Sequence, residues 1–178
     1  MRNLIYWFIA SLFIATLSSC GKEEPKYTIP ASSVNFIINT SFLDNHLASG
    51  GNIGVYLRSK DKSEYDKLIT DIKGVKTYQG DGRSGNPRLG YSGLMIINTG
   101  AILGETPYAA FDLCCPYEKR ENVRVIPTND GTARCPQCNS TFDIMMGSGR
   151  PISGVASENL QSYYVSKGGQ DEFRVYYY

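Results

Sequence analysis

Residues 108–143 read YAAFDLCCPYEKRENVRVIPTNDGTARCPQCNSTFD, and this stretch carries the features that decide the fold. An apolar run from Tyr108 leads into Cys114 and Cys115. Farther along, Asn129-Asp130-Gly131 separates two short extended runs, and Asp-Gly in that position is a strong indication of a β-hairpin. The stretch therefore predicts neighbouring β-strands with cysteines at their ends.

The rest of the chain is also typical of a strand-rich protein. It contains 13 tyrosines and 18 glycines, and aromatic and β-branched residues favour strands over helices. Runs of such residues predict further strands at Val34–Ile38, Ile53–Leu57, Leu94–Asn98, Gln161–Val165 and Phe173–Tyr177. We therefore predict an all-β, or mostly β, fold.

One segment has the spacing of an amphipathic helix. Within residues 63–73, apolar side chains recur at helical intervals, at Tyr65, Leu68, Ile69 and Ile72. A serine at the start of the segment can cap the first turn, and the glycine that follows the segment can end it. We predict a single helix here, with its apolar side on the core of the β-domain.

Four cysteines lie in the stretch quoted above. Cys135 and Cys138 have the Cys-x-x-Cys spacing of a tight turn that aims two thiolates at one point, as in zinc and iron-sulfur knuckles. Cys114 and Cys115 lack that spacing, and neighbouring residues of a strand face opposite sides of the sheet. Cys115, at the strand end, is therefore the predicted third ligand, with Cys114 or Tyr117 as the fourth group.

The N-terminus has the pattern of a secretory signal. A short basic start is followed by an apolar stretch of about 14 residues, fewer than the roughly 20 that span a bilayer. Residues 17–20, Leu-Ser-Ser-Cys, resemble the lipobox of bacterial lipoproteins. We expect a signal peptide at 1–19, lipid on Cys20, a tether at 20–30 and one domain at 31–178, held in the cell envelope by the lipid.

Metal binding and disulfide bonding are both open to these cysteines. The metal would be zinc or an iron-sulfur centre. In an oxidising compartment the four cysteines could instead form disulfides, and four cysteines allow three pairings. A bond between the neighbours Cys114 and Cys115 would be strained, which leaves one or two bridges between the halves of the cluster.

Residues 108–165, about a third of the chain, resemble the Rieske iron-sulfur fold. The similarity lies in Ala110-Phe111-Asp112, Cys115-Pro116-Tyr117, Cys135 to Asp143, Gly149-Arg150-Pro151 and Leu160 to Tyr163. The resemblance implies an antiparallel β-sandwich, to which the predicted helix is an addition. It also implies a cofactor site built from two adjacent loops, with residues 153–156 where the family has its covering proline loop.

In the Rieske family the ligands are Cys-x-His and Cys-x-x-His, which hold a 2Fe-2S cluster through two thiolates and two imidazoles. Cys115 and Cys135 match the cysteines, but Tyr117 and Cys138 stand at the histidine positions. The only histidine, His46, lies outside the matched part. The N-terminal region also lacks the twin-arginine signal with which Rieske subunits commonly leave the cytoplasm folded. Any 2Fe-2S centre is therefore expected to be an altered one.

Charge and motif content narrow the function further. The chain has 18 basic and 17 acidic residues, a balance that argues against nucleic acid as a partner. It lacks the residue patterns of common hydrolytic sites, so catalysis is the weakest hypothesis, and Asp112 and Asp143 are expected to serve turns or hydrogen bonds. Two hypotheses are left for this envelope lipoprotein: a metal or altered iron-sulfur centre, for example in electron transfer, or a disulfide-stabilised binding or structural domain.

Overall fold

The structure is a computed structural model that describes residues 27–83, 85–103 and 106–177. The predicted signal peptide, Cys20 and most of the tether lie outside these ranges. Within them, strands account for 40% and helices for 8% of the residues, so the predicted mostly β class with one α-helix is confirmed. None of the helices in the described residues has the length and apolar character needed to cross a membrane.

Twelve strands and one α-helix follow one another in the described residues. The strands are β1 Val34–Asn39, β2 Ile53–Leu57, β3 Val75–Gln79, β4 Arg88–Leu89, β5 Leu94–Leu103, β6 Thr106–Asp112, β7 Ile126–Pro127, β8 Thr132–Arg134, β9 Thr141–Asp143, β10 Pro151–Ser153, β11 Ser162–Lys167 and β12 Glu172–Tyr177. The α-helix, α1, spans Ser59–Asp66, and a 3-10 turn spans Asn45–Ala48.

The strands form two sheets. Eight strands, in the order β3-β2-β5-β6-β11-β12-β1-β4, make a curled sheet shaped like half a barrel, and β10-β9-β8-β7 make a smaller one. The hairpin predicted at Asn129-Asp130-Gly131 is present, because β7 pairs antiparallel with β8, and a second antiparallel hairpin is formed by β11 and β12. The turn between β7 and β8 contains Gly131 at φ +78, a conformation that glycine adopts without strain.

One pairing corrects the expectation of a wholly antiparallel fold. Strands β2 and β3 run parallel, with Ile53 opposite Val75, at one edge of the large sheet. A parallel pair cannot be joined by a hairpin and needs a crossover connection, which α1 supplies here. The helix therefore belongs to a strand-helix-strand unit at the sheet edge.

The helix itself begins and ends earlier than the apolar spacing of residues 63–73 predicts. It starts at Ser59, whose backbone N–H donates to the Asp81 carboxylate at 2.9 Å, and it stops at Asp66. Only Tyr65 of this helix is buried, and Leu68 lies in the turns that follow, half exposed. The helix boundaries are set by the Asp81 acceptor on a distant segment and by the need for the chain to return to β3. The spacing of apolar residues in residues 63–73 gives no information about either.

Strands β2, β5 and β6 are buried on both faces over most of their length, and one apolar core lies on each side of β5. Met95 and Ile97 belong to an inner core shared with Phe142 of the small sheet, whereas Leu94 and Ile96 face a second core. The two sheets therefore pack on common apolar residues. Cys115, Cys135 and their neighbours are part of the inner core, between the two sheets.

Candidate metal centre

The first cysteine loop, residues 115–119, follows the end of β6. Cys114 forms an isolated antiparallel bridge with Arg124, and the Cys115 N–H donates to the Val123 carbonyl at 3.1 Å. The loop closes when the Lys119 N–H donates to the Cys115 carbonyl at 2.9 Å, with Lys119 at φ +53. The chain thus reverses tightly around Cys115.

The second cysteine loop, residues 135–139, joins β8 to β9. The Cys135 N–H donates to the Ser140 carbonyl at 2.9 Å, and the Asn139 N–H donates to the Cys135 carbonyl at 3.1 Å. Asn139 has φ +59, a left-handed conformation that Asn tolerates better than most residues. The same closing bond and the same positive φ four residues after the leading cysteine occur in both loops.

The backbone of each loop also points donors at its leading sulfur. The N–H groups of Tyr117 and Glu118 donate to the Cys115 sulfur, and those of Gln137 and Cys138 donate to the Cys135 sulfur. Donors two and three residues after a cysteine stabilise a thiolate there. The amides of each loop therefore favour negative charge at the leading sulfur.

Three of the four predicted cysteine ligands come together. The Sγ atoms of Cys115, Cys135 and Cys138 all lie within 4.8 Å of one another, and those of Cys115 and Cys138 are 3.7 Å apart. We call these three residues the cysteine triad. Cys115 and Cys135 are fully buried, Cys138 is partly exposed, and all three are free thiols. The triad can hold a metal ion.

The pKa values of two thiols of the triad are shifted in opposite directions. The Cys115 thiol donates a hydrogen bond that, with help from the loop amides, lowers the pKa of Cys135 to about 5 against the effect of burial. The same hydrogen bond and burial raise the pKa of Cys115 far above its usual value. The hydrogen bond therefore favours the thiolate at Cys135 and the neutral thiol at Cys115.

Ser140 ties the triad to the segment 153–156. Its fully buried Oγ accepts the backbone N–H groups of Val155 and Ala156, each at 3.0 Å, and lies 3.3 Å from the Cys138 Sγ. Gly154, at φ +94, passes so close that a Cβ there would lie 2.4 Å from the Ser140 Cα. This segment is therefore held beside the second cysteine loop, where the resemblance implies a covering loop.

Two predicted candidates for the fourth ligand stand apart from the triad. Cys114 is buried, and its thiol donates weakly to the carbonyls of Cys115 and Arg120 instead. Burial raises the pKa of Cys114 to about 12, which makes it a poor ligand and a poor nucleophile. Tyr117 is 57% exposed. The structure thus joins Cys115, Cys135 and Cys138 and leaves out Cys114, while the Tyr117 side chain faces solvent for more than half of its surface.

The residues present do not fit a histidine-ligated cluster. His46 lies in the 3-10 turn and its Nε2 is 2.9 Å from the Gly74 carbonyl, in a part of the fold remote in sequence from both loops. The triad offers sulfur alone. A Rieske cluster with two imidazole ligands is therefore incompatible with this site.

Asp112, expected to serve a turn or a hydrogen bond, does so at the base of the first loop. Its buried carboxylate accepts the backbone N–H groups of Tyr91, Ser92 and Cys114 and the Tyr163 hydroxyl. Burial raises the pKa of Asp112, and the four donors oppose this shift. Because one donor is the residue directly before Cys115, Asp112 fixes the start of the first cysteine loop.

Two contributors to the site lie outside the predicted cysteine pattern. They are the Ser140 hydroxyl, which lies 3.3 Å from the Cys138 sulfur, and the backbone N–H of Glu118, which donates to the Cys115 sulfur. The spacing Cys-Pro-x-x in both loops was the available sign of their common conformation.

Comparison with known proteins adds no assignment. No protein-family model matches the chain, and a search of curated proteins finds no significant match. The interpretation of the site therefore rests on the geometry of the triad and its two loops.

Proposed function

We propose that the cysteine triad binds one metal ion, with zinc as the best fit, in a structural site between the two sheets. The observation that carries this proposal is the mutual closeness of the three sulfurs. Tetrahedral zinc with Zn–S bonds of about 2.3 Å requires sulfurs about 3.8 Å apart. The 3.7 Å between Cys115 and Cys138 agrees with that requirement.

Electrostatics also support a cation at this point. A zinc site needs deprotonated sulfurs, and the hydrogen bonds from the Cys115 thiol and the loop amides already favour the thiolate at Cys135. The loop amides stabilise that charge only in part, because they carry no formal charge themselves. A divalent ion would displace the remaining protons and neutralise the buried charge.

An altered 2Fe-2S centre with a role in electron transfer is the second candidate. It is supported by the resemblance of residues 108–165 to the Rieske fold and by the position of Cys115 and Cys135 in two adjacent loops. Ligands of two different irons lie farther apart than ligands of one ion, so the compact triad favours a single ion. Any such centre with thiolates in place of imidazoles should have a low potential, about −400 mV, as in plant-type ferredoxins.

The cellular setting is part of the proposal. The lipobox-like residues 17–20 support a lipoprotein of the cell envelope, anchored through Cys20 on the periplasmic face or at the cell surface. Outside the cytoplasm a zinc ion can bind after export, since the ligands need only be deprotonated and brought together by folding. In that compartment, disulfides between the two loops are the alternative state of the same cysteines.

The test is a combined assay of zinc, iron and free thiols on protein purified without reducing agent. We expect about one zinc per chain, with Cys135→Ser losing it. Cys114→Ser is the matched control and should keep the metal, because Cys114 stands outside the triad. Stoichiometric iron would favour the second candidate. Absence of both metals together with absence of free thiols would overturn the metal proposal in favour of disulfides.

A further inference from the structure

We propose that the Glu118 carboxylate is the fourth ligand of the ion held by the cysteine triad, which would make the site three thiolates and one carboxylate. This inference rests on the proposed function above. It identifies a ligand that neither the Cys-x-x-Cys spacing nor the Rieske resemblance points to, since both leave Glu118 unassigned.

The first argument is the matching conformation of the two cysteine loops. In each, the residue after the leading cysteine is proline, and the N–H four residues on closes the turn from a positive φ. In each, amides at the second and third positions point at the leading sulfur. Glu118 therefore stands to Cys115 as Cys138 stands to Cys135.

That correspondence gives Glu118 the backbone position from which the second loop delivers a ligand. Cys138 reaches the triad from the third position after Cys135. A glutamate at the equivalent place is longer than a cysteine and can adjust its side-chain torsions to bring an oxygen to the same region. Zinc accepts carboxylate oxygen at about 2.0 to 2.2 Å, so the residue type suits the ion.

The second argument is the burial of Glu118. Its side chain is only 14% exposed, whereas its partner, Arg120, which donates to the Glu118 carboxylate at 2.8 Å, is 53% exposed. An ion pair with so exposed a partner is worth little, because water and salt screen it. The Glu118 carboxylate lies outside the group of ligand atoms that are within 4.8 Å of one another, yet its side chain is shielded more than such an ion pair requires, as suits a ligand that can turn towards a cation.

Metal binding would therefore exchange one partner of Glu118 for another. In the structure the Glu118 carboxylate pairs with Arg120, and a rotation of the side chain would free it for the ion. Arg120 competes with the ion for Glu118 in this scheme. Removing Arg120 should leave metal affinity unchanged or raise it, whereas removing Glu118 should lower it.

The test measures zinc dissociation constants of the purified protein by competition with a chromophoric chelator. Glu118→Ala should weaken zinc binding by at least about 10-fold, since even groups that only orient ligands are worth about 10- to 100-fold. Glu118→Gln should weaken it as well, because the amide keeps the shape but loses the charge. Arg120→Ala is the matched control and should bind at least as tightly as the unaltered protein.

A variant that adds a thiolate at position 118 gives a spectroscopic test that distinguishes a ligand position from a residue that only supports the loop. Glu118→Cys completes a second Cys-x-x-Cys, so the cobalt-substituted variant should show sulfur-to-metal charge transfer from four thiolates, against three in the unaltered protein. Unchanged affinity in Glu118→Ala, or an equal loss in Arg120→Ala, would overturn the ligand assignment while zinc on the triad stands. Failure of the unaltered protein to bind zinc would overturn the proposed function itself.

Discussion

Replacing Asp112 with Asn should destabilise the protein by about 2 to 4 kcal/mol, because the carboxylate accepts four hydrogen bonds that an amide cannot all accept. One carboxylate oxygen accepts the N–H groups of Ser92 and Cys114, at 3.1 and 2.8 Å. The other accepts the Tyr91 N–H at 2.7 Å and the Tyr163 hydroxyl at 2.6 Å. All four donors converge on a side chain that is fully buried.

The expected loss of stability in Asp112→Asn depends on which of the four donors can still find an acceptor. The amide oxygen can keep the N–H groups of Ser92 and Cys114, and the Tyr163 hydroxyl can turn to accept from the new NH2 group. The Tyr91 N–H has no such freedom, and leaving it without an acceptor costs about 1 to 3 kcal/mol. Loss of charge assistance at the other bonds adds to this. Desolvation, which raises the pKa of Asp112, offsets part of that addition because the amide carries no charge to desolvate.

Urea denaturation followed by circular dichroism measures the free energy of unfolding for this comparison. Asp71→Asn is the matched control, because Asp71 is exposed, and it should change the unfolding free energy by less than about 0.5 kcal/mol. Tyr163→Phe removes one donor and should cost less than the Asn variant. If Asp112→Asn were as stable as the Asp71 control, the four-donor account of Asp112 would be refuted.

Three further predictions concern the triad, its neighbouring segment and the anchor. Gly154→Ala should cost about 1 to 3 kcal/mol in urea denaturation, because φ is positive and the Cβ would meet the Ser140 Cα; an unchanged midpoint would contradict this. In metal-free protein, thiolate absorbance should rise as pH rises through about 5, where the pair of Cys135 and Cys115 loses its first proton, and Cys135→Ser should abolish that step. Because the pKa of Cys135 is lower in the folded than in the unfolded chain, its ionisation stabilises the fold at pH values above the pKa in the unfolded chain. This contribution is lost as pH falls through about 5. Cys20→Ala should release the protein from membranes or leave it unprocessed; a processed, membrane-bound variant would rule out lipid on Cys20.

Strand positions were predictable because they depend on local residue type. The predicted Ile53–Leu57 coincides with β2, and the predicted Val34–Ile38 differs from β1 by one residue. The turn at Asn129-Asp130-Gly131 also follows from local chemistry, since Asp-Gly tolerates the backbone that a tight hairpin needs. The order of strands in the sheets is a different matter, because β2 pairs with β5 across a long stretch of chain.

The parallel pairing of β2 with β3 and the boundaries of α1 could not be predicted, because both depend on contacts between distant parts of the chain. Apolar spacing in residues 63–73 placed the helix over Leu68, yet Leu68 is half exposed in the turns after α1. The helix starts at Ser59 because Ser59 donates hydrogen bonds to Asp81, 22 residues away. The local spacing of apolar residues contains no information about that contact. Tertiary contacts decide such boundaries, and propensity is only a weak prior beside them.

For the site, the sequence predicted the three cysteines that the structure brings together. The sequence pattern favours Cys115 over Cys114 as a ligand, because neighbouring side chains of a strand point to opposite faces of the sheet and only one of the two can face the site. Its loop was harder to anticipate, since Cys115 has no cysteine three residues later. The shared Cys-Pro start hints that this loop repeats the conformation of residues 135–139, the backbone shows that it does, and that repetition draws attention to Glu118.

The position of the triad explains why a metal ion there would serve the fold. The first cysteine loop extends from the large sheet, and the second connects two strands of the small one, so an ion on the triad links both sheets. Without an ion, the negative charge favoured at Cys135 is stabilised only by neutral hydrogen-bond donors, in an otherwise apolar core. A cation there would add a charged partner, and because the three ligands come together only in the folded chain, the free energy of metal binding would add to the stability of the fold. The same burial of two of the three sulfurs suits a structural ion better than one that must exchange ligands with a substrate.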